Sequence, residues 1–169
     1  MMKSCRPVLK QIMTAGAMIT CLLAQAKALA SENFNVFSEV YGVVMVDGNP
    51  VAGATVERYY RWKQEKVFDK TTTDEQGRYH FPEIVRHSLI WSILPHEARI
   101  SQSINIYHEG SVYSGWYHVK GNYDRNGELK GRPLKLKCDL RSPEGPHAET
   151  QHYGVCSVEK RVVASPKAA

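Results

Sequence analysis

The side chains with chemical potential in this 169-residue sequence are four cysteines, of which Cys5 and Cys21 lie in the first thirty residues, scattered histidines and two aromatic clusters. Cys138 and Cys156 stand in no CxxC motif and lack an obvious pair of companion histidines, which argues against a metal site. Two cysteines in an oxidising compartment are instead expected to form a disulfide, and closing that loop stabilises a fold by about 3 kcal/mol. Alternating strands could bring His80, His108 and His118 to neighbouring positions, and His147 and His152 lie inside the proposed disulfide loop. His80, His108 and His118 lack zinc-motif spacing, and His147 and His152 would be the better candidates for a metal; scattered histidines read as surface or hydrogen-bonded residues, and neither metal nor cofactor is expected. No G-x-S-x-G nucleophile elbow occurs. Tyr59, Tyr60 and Trp62 form one aromatic cluster beside Arg58 and Arg61; Tyr113, Trp116 and Tyr117 form another. Core packing is the first role of such rings. Adjacent strand residues point to opposite faces, however, so one of Tyr59 and Tyr60 is expected outside. An exposed ring next to arginine suits a protein hot spot or a sugar-stacking platform. Tyr59, Tyr60, Arg61, Trp62 and Trp116 are therefore the candidate binding residues.

These residues sit in a chain that begins as an exported one. Lys3, Arg6 and Lys10 precede a mostly apolar run from Ile12 to Ala26, and Ala28-Leu29-Ala30 is a small-x-small cleavage site. Residues 1–30 read as a signal peptide, with the apolar run short of the roughly 20 residues a spanning helix needs. Membrane contact is expected only through this segment before cleavage. Four of the 22 basic residues and none of the 17 acidic ones lie in it, which leaves the mature part near neutral. The basic balance is thus an export signal and offers no support for nucleic-acid binding. Residues 31–163 suit one domain, and 164–169 read as a flexible tail. The expected location is periplasmic or secreted.

The mature chain reads as strands. Val36 to Asp47 is rich in β-branched residues and stops at the turn Asp47-Gly48-Asn49-Pro50. Thr55 to Trp62 alternates Val56, Arg58, Tyr60 and Trp62 against Glu57, Tyr59 and Arg61. Glu65 to Thr73 and Arg78 to Phe81 flank the turn Asp74-Glu75-Gln76-Gly77. Further extended stretches are expected over Ser88 to Leu94, Ile100 to His108, Val112 to Lys120 and Leu134 to Leu140, with a short helix near Pro95 to Arg99. The fold class is all-β: a small antiparallel sandwich, prealbumin-like or Greek-key, with one disulfide.

The stretch Tyr41-Gly42-Val43-Val44-Met45-Val46-Asp47-Gly48-Asn49-Pro50-Val51-Ala52-Gly53-Ala54-Thr55-Val56, followed by Thr73-Asp74-Glu75-Gln76-Gly77-Arg78-Tyr79-His80-Phe81-Pro82, resembles the carboxypeptidase regulatory-like domain. The resemblance implies a prealbumin-like sandwich with Val43, Val56, Tyr79 and Phe81 in the core, and binding rather than catalysis. The same fold hosts hydroxyisourate hydrolases with a C-terminal Tyr-Arg-Gly-Ser, whereas this chain ends Ala164-Ser165-Pro166-Lys167-Ala168-Ala169. Pilin-type sandwiches of related shape form a Lys-Asn isopeptide bond; the first strand here, Val36 to Val46, has no lysine, so no such bond is expected. The resulting expectation is a non-enzymatic exported protein that binds another protein of the cell envelope, one version of which neutralises an envelope-acting effector. The alternative is a carbohydrate-binding or cell-surface structural module that stacks sugar rings on Tyr59, Trp62 or Trp116.

Overall fold

The computed structural model describes residues 32–159. The signal peptide at 1–30 and the tail at 164–169 lie outside the described residues. Those residues form two compact units, one of residues 33–86 and 96–159, the other of Glu32 and His87–Pro95.

The larger unit is an all-β sandwich. The described strands are β1 (Glu32–Phe37), β2 (Val40–Val46), β3 (Asn49–Pro50), β4 (Thr55–Trp62), β5 (Glu65–Thr72), β6 (Arg78–Phe81), β7 (Ile84–Ser88), β8 (Ile100–His108), β9 (Ser111–Lys120), β10 (Leu134–Asp139), β11 (Gly145–His147), β12 (His152–Gly154) and β13 (Cys156–Val158). One sheet runs β11-β12-β9-β8-β4-β5, all antiparallel. The other runs β13-β10-β2-β3, with β6 also paired to β2. Within this second sheet β10 lies parallel to β2, from Leu134 opposite Val40 to Asp139 opposite Met45, a departure from a purely antiparallel layout.

Turn chemistry sets these registers. Asp47 and Gly48 both take positive φ, the backbone that a two-residue hairpin between right-twisted strands requires. Gly77 also has a positive φ, and a Cβ there would meet the Val44 carbonyl at 2.4 Å, so this turn accepts only glycine. Asp74 stabilises the same turn, its Oδ1 accepting from the backbone N–H groups of Gln76 and Arg78. Beyond it the chain leaves β5 at the edge of one sheet and enters β6 in the other.

The core lies between the inner faces. Val56, Tyr60 and Trp62 of β4, Ile100, Ile104 and Ile106 of β8, and Trp116 of β9 meet Val40, Val44, Tyr79, Phe81, Leu134 and Leu136. Val43 is only half-buried and belongs to the outer side of β2; Val44 takes the inner position expected of it. Arg58 also points inward. Its guanidinium pairs with Asp69 at 2.6 Å and lies 5.2 and 4.7 Å from the Phe37 and Phe81 ring centres. The mixed inner face of β4 is thus made compatible with burial by an ion pair and two ring faces.

Three sequence expectations need correction. The stretch expected as one strand from Val36 is broken at Ser38-Glu39 into β1 and β2, because the Ser38 N–H is drawn to the Glu128 carboxylate at 3.0 Å rather than to a neighbouring strand. The expected antiparallel layout is broken by β10, which runs parallel to β2. Ser88 to Leu94, expected as extended, holds the helix α1 (Leu89–Ile93), and Pro95 to Arg99 is not helical. Ser88 caps α1 by accepting from the Trp91 N–H at 3.3 Å. This helix belongs to the small unit and exposes Leu89, Ile90 and Ile93.

Cys138 and Cys156 are joined as a disulfide, at directly paired positions on β10 and β13. Both are fully buried. The bond ties the last described strand to the sheet across an 18-residue separation. Replacing both with alanine should lower unfolding stability by about 3 kcal/mol. Urea titration checks this, and an unchanged midpoint would show that the bond contributes nothing.

Candidate functional site

The outer face of the six-stranded sheet carries a row of rings. Cross-strand pairing places Phe68 of β5 opposite Tyr59, Tyr59 opposite Ser103, Ser103 opposite Tyr117, and Tyr117 opposite Tyr153. All five lie on one register line, because alternation sends every second residue of each strand outward. Phe68 is 66% exposed, Tyr117 48% and Tyr153 43%; Tyr59 is half-buried between its neighbours. With strands about 4.8 Å apart the row runs the width of the sheet, with the small Ser103 as a dip between two rings. Val119 and Tyr107 add exposed apolar surface on either side.

Charge flanks this row unequally. On one side Glu57 pairs with Lys70 at 3.1 Å. On the other, Arg61 and Lys66 stand directly opposite each other, and among the described residues no carboxylate is recorded in a salt bridge with either. Like charges at paired positions are unfavourable, so this corner attracts an anionic group.

The expected binding residues are divided by the same alternation. Tyr59 and Arg61 face outward, as half of the expectation required. Tyr60, Trp62 and Trp116 are buried and cannot offer a ring to a ligand: they fill the core, with Tyr60 donating to Glu65 at 2.8 Å and Trp62 to the Tyr123 hydroxyl at 3.1 Å. Phe68, Tyr117 and Tyr153 join Tyr59 instead. Tyr117 was visible as an aromatic of the second cluster, but Phe68 and Tyr153 are isolated rings whose place in the row depends on strand order.

The histidines of the disulfide region form a stack, not a chelate. Trp116 lies on His152 with ring centres 4.2 Å apart, and His152 lies on His147 at 4.2 Å. His152 Nε2 donates to the Cys156 carbonyl at 2.7 Å, and its Nδ1 accepts from the Thr150 hydroxyl at 2.7 Å. Burial holds its pKa down to about 4, despite the carbonyl contact. His118 donates from Nδ1 to the Gln151 carbonyl, and His147 from Nε2 to that of Gly154. Among the described residues no group of three or more His, Cys, Asp and Glu side chains is placed to hold a metal ion.

A second polar assembly is enclosed near the start of β1, where no binding residue was expected. Lys120, at the inner end of β9, is fully buried, with Nζ 2.8 Å from Asn35 Oδ1 and 3.3 Å from Glu128 Oε2. Glu128, in the 3-10 turn Gly127–Leu129, accepts from the Ser38 hydroxyl at 2.6 Å, from the Ser38 N–H, and from Gln102 Nε2 at 2.8 Å. These contacts hold its carboxyl below the ordinary range against the opposing effect of burial. The Asn35 amide in turn donates from Nδ2 to Glu83 Oε2 at 3.1 Å. A surface groove of about 310 Å³ is lined by Tyr41, Val43, Arg78 and Lys135, and a larger one of about 550 Å³ by Asp47, His108, Glu109 and Arg141, where His108 Nε2 is 3.7 Å from the Glu109 carboxylate.

Residues 40–143, more than half of the chain, match the model of a domain of unknown function, DUF6795. No curated protein matches the chain. No described helix is long and apolar enough to cross a membrane.

A pH dependence follows from His152. Its folded pKa of about 4 lies below the ordinary 6.5, so the unfolded chain binds the extra proton first and stability falls as pH drops through that interval. The loss should reach about 2 to 3 kcal/mol between pH 6.5 and 4.5. Chemical denaturation across this range measures it; His152→Gln, which cannot titrate, should flatten the slope, and an equal slope in both proteins would assign it elsewhere.

Proposed function

We propose that this chain, which belongs to the DUF6795 domain family, is a non-enzymatic exported protein that binds another protein through the outer face of its six-stranded sheet. The observation that carries this reading is the row of exposed Phe68, Tyr117 and Tyr153 with half-buried Tyr59, beside the cations Arg61 and Lys66, which have no carboxylate partner among the described residues. Tyrosine and arginine are the residues that concentrate binding energy at protein interfaces, where a rigid ring loses little entropy on burial. A partner suited to this face presents apolar side chains next to acidic ones. A buried disulfide persists where the surroundings are oxidising, which supports the bacterial periplasm or the exterior as the place of action. An effector-neutralising role in the envelope is one form of the proposal. The resemblance to carboxypeptidase regulatory-like domains agrees with a binding module, since such domains accompany other activities rather than supply them.

A carbohydrate-binding role is the second reading, and the dip at Ser103 between Tyr59 and Tyr117 favours it, because a sugar ring could sit there between two aromatic faces. Trp62 and Trp116 play no part in either version.

Capture from envelope extracts, with wild-type protein compared with Tyr59→Ser/Tyr117→Ser and Arg61→Glu, separates the readings. A stoichiometric protein partner should be retained by the wild type and weakened at least about tenfold by each variant. Partners that bind all three proteins equally would overturn the assignment of this face. Loss of glycan retention in the ring variant, with no protein partner, would transfer the face to carbohydrate.

A further inference from the structure

We infer that Lys120 and Asn35 become joined by an isopeptide bond between Nζ and the side-chain carbon Cγ, with Glu128 as the proton acceptor. Three observations carry this. Lys120 Nζ is 2.8 Å from Asn35 Oδ1, so the carbon it would attack is one bond further on. Both side chains and Glu128 are shut away from water: Lys120 is 0% exposed, Asn35 5% and Glu128 6%. The Glu128 carboxylate stands 3.3 Å from the same Nζ, and is positioned there by Ser38 and Gln102.

The absence of a lysine from the first strand argued against such a bond, but the structure assigns the partners the other way round. Asn35 lies on β1 and the lysine arrives from the far end of β9. Only the folded chain brings them together, across 85 residues.

The step balances without any co-reactant. The Lys120 ammonium gives a proton to Glu128, leaving a neutral amine, the form that burial favours for this lysine. The amine lone pair attacks Asn35 Cγ, and the carbonyl electrons move onto Oδ1, which the Ser38 hydroxyl approaches at 3.2 Å. As the tetrahedral centre collapses, the Cγ–Nδ2 bond breaks. One amine hydrogen stays on the new amide, and the other passes to Nδ2, which departs as ammonia. Ammonia then takes the proton from Glu128 and leaves as ammonium, restoring the carboxylate. The departing nitrogen already contacts Glu83, which is half-exposed and ion-paired to Arg125, so the exit is on the solvent side. Fixed proximity and exclusion of water are the conditions that make such an intramolecular attack fast.

Intact-mass measurement of the exported, disulfide-reduced chain tests this. The expected result is a mass one ammonia below that of the sequence, with tandem fragmentation showing the Asn35 peptide joined to the Lys120 peptide. Lys120→Arg, which keeps the charge beside Glu128, should retain full mass, and Asn35→Asp should converge on the wild-type mass by losing water. Wild-type protein at full mass, with Asn35 and Lys120 in linear peptides, would overturn the inference even if the variants failed to fold. So would an ammonia loss located at Asn126-Gly127, where a succinimide has the same mass.

Discussion

Taking an ammonium and a carboxylate out of water costs several kcal/mol per ion, and this molecule encloses such a pair at one end of its core. Lys120 ends β9 and Glu128 sits in the 3-10 turn within the segment that follows, and their meeting decides how that segment folds back. The remaining lone pairs of the carboxylate are then satisfied by Ser38 and Gln102. Those bonds in turn dictate the break between β1 and β2, since a residue whose N–H answers a carboxylate cannot also continue a ladder. Arg58 poses the same problem at a second point of the inner face and is answered by Asp69, the Pro82 carbonyl and two phenylalanine rings. The layout of the sandwich near β1 is therefore a solution to polar burial as much as to apolar burial.

What could be read in advance was whatever depends on local period and turn chemistry. The hairpin at Asp47-Gly48, the strands β4, β5, β6, β8 and β9, and the pairing of two cysteines all follow from alternation, glycine placement and redox compartment. The alternation in β4 even separated Tyr59 and Arg61 from Tyr60 and Trp62 correctly. What it did not reveal was which face would be the inside, because Arg58 made the inner face look polar. The helix at Leu89–Ile93 was hidden by its β-branched and aromatic composition, and only the Ser88 cap and the Ser92 hydroxyl, which bonds back to the Ser88 carbonyl, marked it as helical.

The aromatic row and the buried assembly were illegible for a different reason. Phe68 and Tyr153 lie 85 residues apart and share a line only because β5 and β12 sit in one sheet, four registers away from each other. Asn35, Lys120 and Glu128 are likewise unremarkable residues until topology assembles them. Neighbourhood in sequence foretold the aromatics of β4; neighbourhood in space supplied the others.

The strict two-residue period of β4 also bears on how this chain can change length. Inserting or deleting one residue between Thr55 and Trp62 would exchange the faces of everything beyond it, turning Tyr59 or its neighbours inward and Arg58 away from Asp69. Core and ring row would be lost together. Connections such as Lys63-Gln64 and Glu109-Gly110 carry no such constraint, and single substitutions at the outward positions leave the interior untouched. A strand built this way can exchange its surface vocabulary residue by residue, but it shifts its frame only where a bulge absorbs the extra residue, as at Gly115 of β9.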